Sequence, residues 1–117
     1  MKGKAINRLT QTMKKLLSPE GCPWDREQTH ASLTRYLIEE TYEVIEAINE
    51  GDMDKLREEL GDLLLQVVFH AALAEQAGYF GLNDVADTVN DKMISRHPHV
   101  FGQMEINTSE EVMQNWE

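Results

Sequence analysis

Four carboxylates are placed to hold a cation. Glu40 and Glu43 lie three residues apart, as do Glu59 and Asp62. The two pairs are mirror-symmetric about Gly51: Glu40 and Asp62 are each eleven residues from it, Glu43 and Glu59 each eight. If the flanking segments are helices folded back on one another, mirror positions lie at equal heights. Residues three apart share a helix face, so all four acids then converge. Carboxylates brought together repel one another unless a cation, protons or water intervene. Oxygen-only ligation selects Mg²⁺, Mn²⁺ or Ca²⁺ over zinc or copper. No loop has the acidic spacing of an EF-hand. A di-iron bundle needs Glu-x-x-His on two helices, and only Glu27–His30 has that form. Mg²⁺, with Mn²⁺ as a substitute, leaves coordination positions for water and substrate phosphates, which points to phosphate-ester hydrolysis.

The plain alternative is a solvated acidic helix face. It is disfavoured by the mirror symmetry, by the apolar neighbours Val44 and Leu60, and by the shortage of basic partners. Residues 39 to 62 hold ten acids opposed only by Lys55 and Arg57, so this stretch supplies −8 of a net charge of −10. Such a balance argues against binding a nucleic-acid polymer, which needs basic surface. One phosphate ligand carried in with a divalent metal remains compatible. Lys55, one turn before Glu59, flanks the acids. Lys92 and Arg96 are four apart and share a face, where an arginine fork can grip phosphate. Glu39 is a candidate general base. Trp24 either stacks on a base or plugs the core. Cys22 lacks a basic neighbour that would make it a nucleophile. His30 and His70 read as hydrogen-bonded core groups, and His97 and His99 as structural rather than metal-binding.

The elements that must position these residues are helices. Ile6, Leu9, Met13, Leu16 and Leu17 predict a first helix over about 4–17. Ser18-Pro19 and Gly21-Cys22-Pro23 break it, leaving Trp24-Asp25 in a loop. Thr29 or Ser32 caps a second helix carrying Leu33, Leu37, Val44, Ile45 and Ile48, and Gly51 ends it. Asp52 caps a third helix, 53–76, whose second half (63–69) is apolar nearly all round. A helix apolar on every side is buried on every side, which predicts a subunit interface. Asn83 caps a fourth helix that stops near Arg96. Thr108 and Glu111 have capping-box spacing for a short last helix. The expectation is one all-α domain over 1–117: a four-helix bundle with a short C-terminal helix, oligomerising through its apolar helix. One cysteine and no apolar leader indicate a cytoplasmic protein. Leu63–Leu73 is too short and too polar to span a membrane.

These residues resemble a known family. Glu40-x-x-Glu43, fifteen residues, then Glu59-x-x-Asp62 is similar to the signature of the all-α nucleoside triphosphate pyrophosphohydrolases, closest to the MazG branch. Gly21–Asp25, Glu39–Val44, Glu58–Leu64 and Arg96–Phe101 strengthen the match, which covers about residues 5–117. The resemblance implies Mg²⁺-dependent hydrolysis of nucleoside triphosphates to monophosphate and pyrophosphate. It implies metal on Glu40, Glu43, Glu59 and Asp62, and triphosphate on Lys55, Lys92 and Arg96. It further implies Trp116 near the nucleotide and a homodimer or homotetramer. The sequence is most similar to the N-terminal domain of two-domain MazG proteins. The alternative function is therefore a non-catalytic domain that dimerises and regulates an active one.

Overall fold

A computed structural model describes residues 3–102 and 108–114. All regular structure among the described residues is helical: α1 Lys4–Leu17, α2 Pro23–Glu27, α3 His30–Glu50, α4 Met53–Gln76, α5 Leu82–Ser95, α6 Pro98–Phe101 and α7 Ser109–Gln114. The chain divides into two compact units, residues 1–82 and 83–117.

The first unit is built on a hairpin of α3 and α4, with α1 packed on α4 and α2 on α1. Each end of the hairpin has a local cause. The Thr29 hydroxyl accepts from the Ser32 amide at 3.0 Å while Ser32 Oγ accepts from the Thr29 amide at 2.8 Å, a reciprocal cap. Both candidate capping residues therefore act together. Gly51 ends α3 at φ 70, a left-handed conformation that costs other residues a Cβ clash. Asp52 then caps α4 through the Lys55 amide at 3.1 Å.

The core lies where α1, α3 and α4 meet. Met13, Leu17, Leu33, Val68, Phe69 and Ala72 are buried there, with Leu9, Tyr36, Leu65, Leu73 and Leu82 packed around them. Met13, Leu33 and Val68 are the largest fully buried side chains. Truncating such a residue to alanine costs about 2–5 kcal/mol.

Several expectations are corrected. Trp24 and Asp25 belong to a short helix, not a loop. Pro23 sits at its first turn, where a missing N–H costs nothing. Pro98 starts α6 in the same way. Asn83 lies inside α5, which begins at Leu82. The apolar stripe on α3 is only partly buried: Leu33 and Val44 are covered, whereas Ile45 and Ile48 are 45% and 56% exposed. Leu60, Leu64 and Val67 of α4 are also exposed.

In the second unit, Lys92 of α5 and Arg96, just past its end, lie one turn apart, the Arg96 amide donating to the Lys92 carbonyl at 3.0 Å. The Glu111 amide donates to Thr108 Oγ1 at 3.2 Å, which starts α7 as expected. No helix among the described residues is long and apolar enough to cross a membrane.

Candidate metal centre

The hairpin brings three of the four acids together. One carboxylate oxygen each of Glu40, Glu59 and Asp62 lies within 4.8 Å of the others. Glu40 comes from the middle of α3, and Glu59 and Asp62 from consecutive turns of α4. No ion pair to these three is formed among the described residues. The charge is therefore left to act on itself. Partial burial raises the Glu40 carboxyl above its ordinary range, and the neighbouring Asp62, Glu43 and Glu39 raise it further. The Glu59 carboxyl is likewise raised, by burial first and then by Glu43, Asp62, Glu40 and Glu58.

The donor set fits a hard divalent cation. Oxygens around Mg²⁺ bond at about 2.1 Å, so opposite ligands stand about 4.2 Å apart. Three carboxylate oxygens within 4.8 Å of one another are compatible with that spacing. Glu43 is not one of the three that meet. It is exposed on α3, although its charge reaches both Glu40 and Glu59.

The other candidate residues are placed as follows. Lys55 Nζ is held by Glu50, at 3.2 and 3.1 Å from its two oxygens, beside the turn. That hydrogen bond, and then the charges of Glu50, Glu46 and Glu43, raise its pKa. Glu50 as the tether of Lys55 was missed in the sequence, because a five-residue spacing across a turn matches no helical rule. Glu39 is exposed, and its charge acts on Glu40 and on Arg35 one turn earlier. Trp24 is 49% exposed, and its ring meets Tyr36 edge-on at 5.9 Å between centroids. Lys92 and Arg96 stand together on the second unit. Trp116 lies outside the described residues.

Two of the histidines pair with each other. His30 Nδ1 and His70 Nδ1 are 2.7 Å apart across the hairpin, with the rings stacked. They are hydrogen-bonded as expected, but His30 is exposed rather than a core group. His97 Nδ1 contacts the Met93 carbonyl at 2.6 Å.

With an acidic triad on a helical hairpin, the comparison with known proteins is specific. The MazG nucleotide pyrophosphohydrolase domain model matches residues 28–101, which include all four acids. The chain belongs to this family. It is 60% identical over 86% of its length to the nucleoside triphosphate pyrophosphohydrolase/pyrophosphatase MazG of Thermotoga maritima, and covers 39% of that protein. It is 51% identical over 96% of its length to the nucleoside triphosphate pyrophosphohydrolase of Escherichia coli, and covers 43% of it. The chain thus spans about two fifths of these relatives. The crystal structure of a MazG-related protein from Thermotoga maritima superposes with a TM-score of 0.75 at 30% identity, covering 94% of both chains. The MazG fold is therefore shared along almost the whole chain.

Proposed function

We propose that this MazG domain hydrolyses (deoxy)nucleoside triphosphates to the monophosphate and pyrophosphate in a Mg²⁺-dependent reaction. The observation that carries this reading is the uncompensated triad Glu40, Glu59 and Asp62. Membership of the MazG family and the names of its relatives support it.

Glu40, Glu59 and Asp62 hold the cation, and Glu43 joins them as a fourth ligand. Mn²⁺ substitutes for Mg²⁺, since both accept carboxylate oxygens. The bound ion supplies charge neutralisation for the phosphates and acidifies water at the site. Glu39 accepts the proton of the attacking water. The water oxygen forms a new bond to phosphorus, and a P–O bond of the α–β linkage breaks. Lys55, Lys92 and Arg96 bind the triphosphate and offset the charge that builds on the departing pyrophosphate. Lys55 exchanges its Glu50 tether for phosphate oxygens. Trp24 stacks on the base, and Trp116 packs near the nucleotide. The exposed apolar residues of α3 and α4 form the surface of a homodimer or homotetramer. The reducing compartment suggested by the single cysteine is the cytoplasm.

The deciding experiment incubates the purified chain with each of the eight common nucleoside triphosphates and Mg²⁺ and assays pyrophosphate. Release that disappears in Glu43→Gln and Glu59→Gln, with helical content unchanged, supports the reading. Mg²⁺ binding without pyrophosphate release would instead identify a non-catalytic, dimerising or regulatory domain.

A further inference from the structure

We propose that a groove lined by Trp24, Arg35 and Tyr36 is a nucleobase subsite, and that it prefers bases carrying a ring carbonyl over adenine. It rests on the functional reading above and adds the base class that reading leaves open.

The groove has a volume of about 450 Å³ and is also lined by Gln28, Ser32 and Thr34. Its wall is fixed from behind. Tyr36 packs on the core, Trp24 meets it at an interplanar angle of 76°, and Arg35 lies over the Tyr36 ring at 4.8 Å. The half-exposed indole is thus a braced aromatic surface on which a base can stack. Its position suits a nucleotide. Tyr36 is one turn before Glu40 on the same face of α3, an axial rise of about 6 Å. A base seated there leaves the sugar to bridge towards the triad.

The preference rests on Arg35, the charged donor in the lining. The Gln28 amide donates to the Trp24 carbonyl, and its oxygen accepts from Ser32 Oγ. Thr34 Oγ1 donates to the Ala31 carbonyl. Arg35 Nη2 donates to Tyr36 Oη at 2.8 Å, which leaves the remaining guanidinium N–H groups and the phenolic proton as donors. Donors on a base edge select acceptors. Guanine presents O6 and N7 side by side, uracil and thymine present carbonyls, and adenine presents an amino group at the corresponding edge.

The test uses nucleosides without divalent metal, so it is independent of turnover. Inosine and adenosine differ at C6 in carbonyl versus amine, and ribose lacks a base. Binding is followed by the indole and guanidinium N–H resonances of the wild type, Trp24→Ala, Trp24→Phe and Arg35→Gln. The expected result is inosine tighter than adenosine by about fivefold, the lower end of what one bidentate contact discriminates. Arg35→Gln should remove that ratio. Trp24→Ala should weaken both nucleosides towards ribose, with Trp24→Phe in between. Inosine binding no better than ribose, or a ratio untouched by Arg35→Gln, overturns the proposal. A protein that binds inosine through Trp24 yet releases no pyrophosphate keeps the subsite and loses the catalytic reading. One that turns over substrate with neither nucleoside bound does the reverse.

Discussion

Glu40 illustrates how a functional group can oppose the fold that carries it. Its carboxyl is raised by burial and by three like-charged neighbours, so its charged form weakens the folded state at neutral pH. A cation reverses that sign. In metal-free buffer, Glu40→Gln should therefore melt at or above the wild-type temperature. Adding Mg²⁺ should raise the wild-type midpoint, by the equivalent of about 2.7 kcal/mol at a hundred times the dissociation constant, and leave the variant almost unmoved. Differential scanning calorimetry with and without Mg²⁺ checks this, and an equal Mg²⁺ response in both proteins would rule it out. Much of the triad was legible in the sequence, because residue type and distance from Gly51 together fix which acids can meet. The departure of Glu43 from the cluster was not, since equal heights do not determine where a flexible side chain turns. Arg35 and Tyr36 went unread although each stands four residues before an acid already singled out.

At the scale of elements, the helix ends carry the testable consequences. The Gly21 backbone runs so close to the end of α1 that a Cβ there would collide with the Lys15 and Leu16 carbonyl oxygens. Gly21→Ala should destabilise the protein by about 1–3 kcal/mol, the cost of forcing an extra carbon into a filled space, as read from urea midpoints. Farther along the hairpin, the imidazoles of His30 and His70 share one short contact in which one Nδ1 donates and the other accepts. Burial, and then the charge of His30, lower the pKa of His70 below its ordinary value of about 6.5. The unfolded chain then binds more protons than the folded one, so stability falls as pH drops below about 6.5 and is fully present above it. Urea titrations at a series of pH values should show this slope, and His70→Gln should flatten it. The long helices α3 and α4 were legible because their caps (Thr29 and Asp52) and the closing Gly51 have local chemistry. The short helices α2 and α6 were not, because a proline that ends one helix also suits the first turn of the next.

For the whole molecule, apolar surface is the open quantity. Ile38, Ile45 and Ile48 of α3 and Leu60, Leu64 and Val67 of α4 stay exposed in the single chain. The apolar run of residues 63–69 leads the sequence to expect burial on every side at a subunit interface, whereas in the single chain Val68 and Phe69 are already buried and Leu64 and Val67 are exposed. Which residues remain uncovered could not be read from periodicity, since that depends on where α1 docks. Leu64→Glu with Val67→Glu should shift the protein to a monomer in analytical ultracentrifugation while the circular dichroism of the helices persists. A wild type that already sediments as a monomer would refute the interface.

The pairing of Glu40 with Asp62 across Gly51 also means that the centre is specified by counting. No single helix contains it, and the number of residues from each acid to the turn sets whether the two arms meet. An extra residue within one arm rotates everything beyond it by about 100° and slides it ~1.5 Å along the axis, enough to turn a ligand away from its partners. Seven extra residues in each arm would nearly restore both face and height, moving only the tip, with Lys55 and Glu50, outward. The cation site and the lysine at the turn are thus separable in length, and the hairpin works as a ruler with two independent marks.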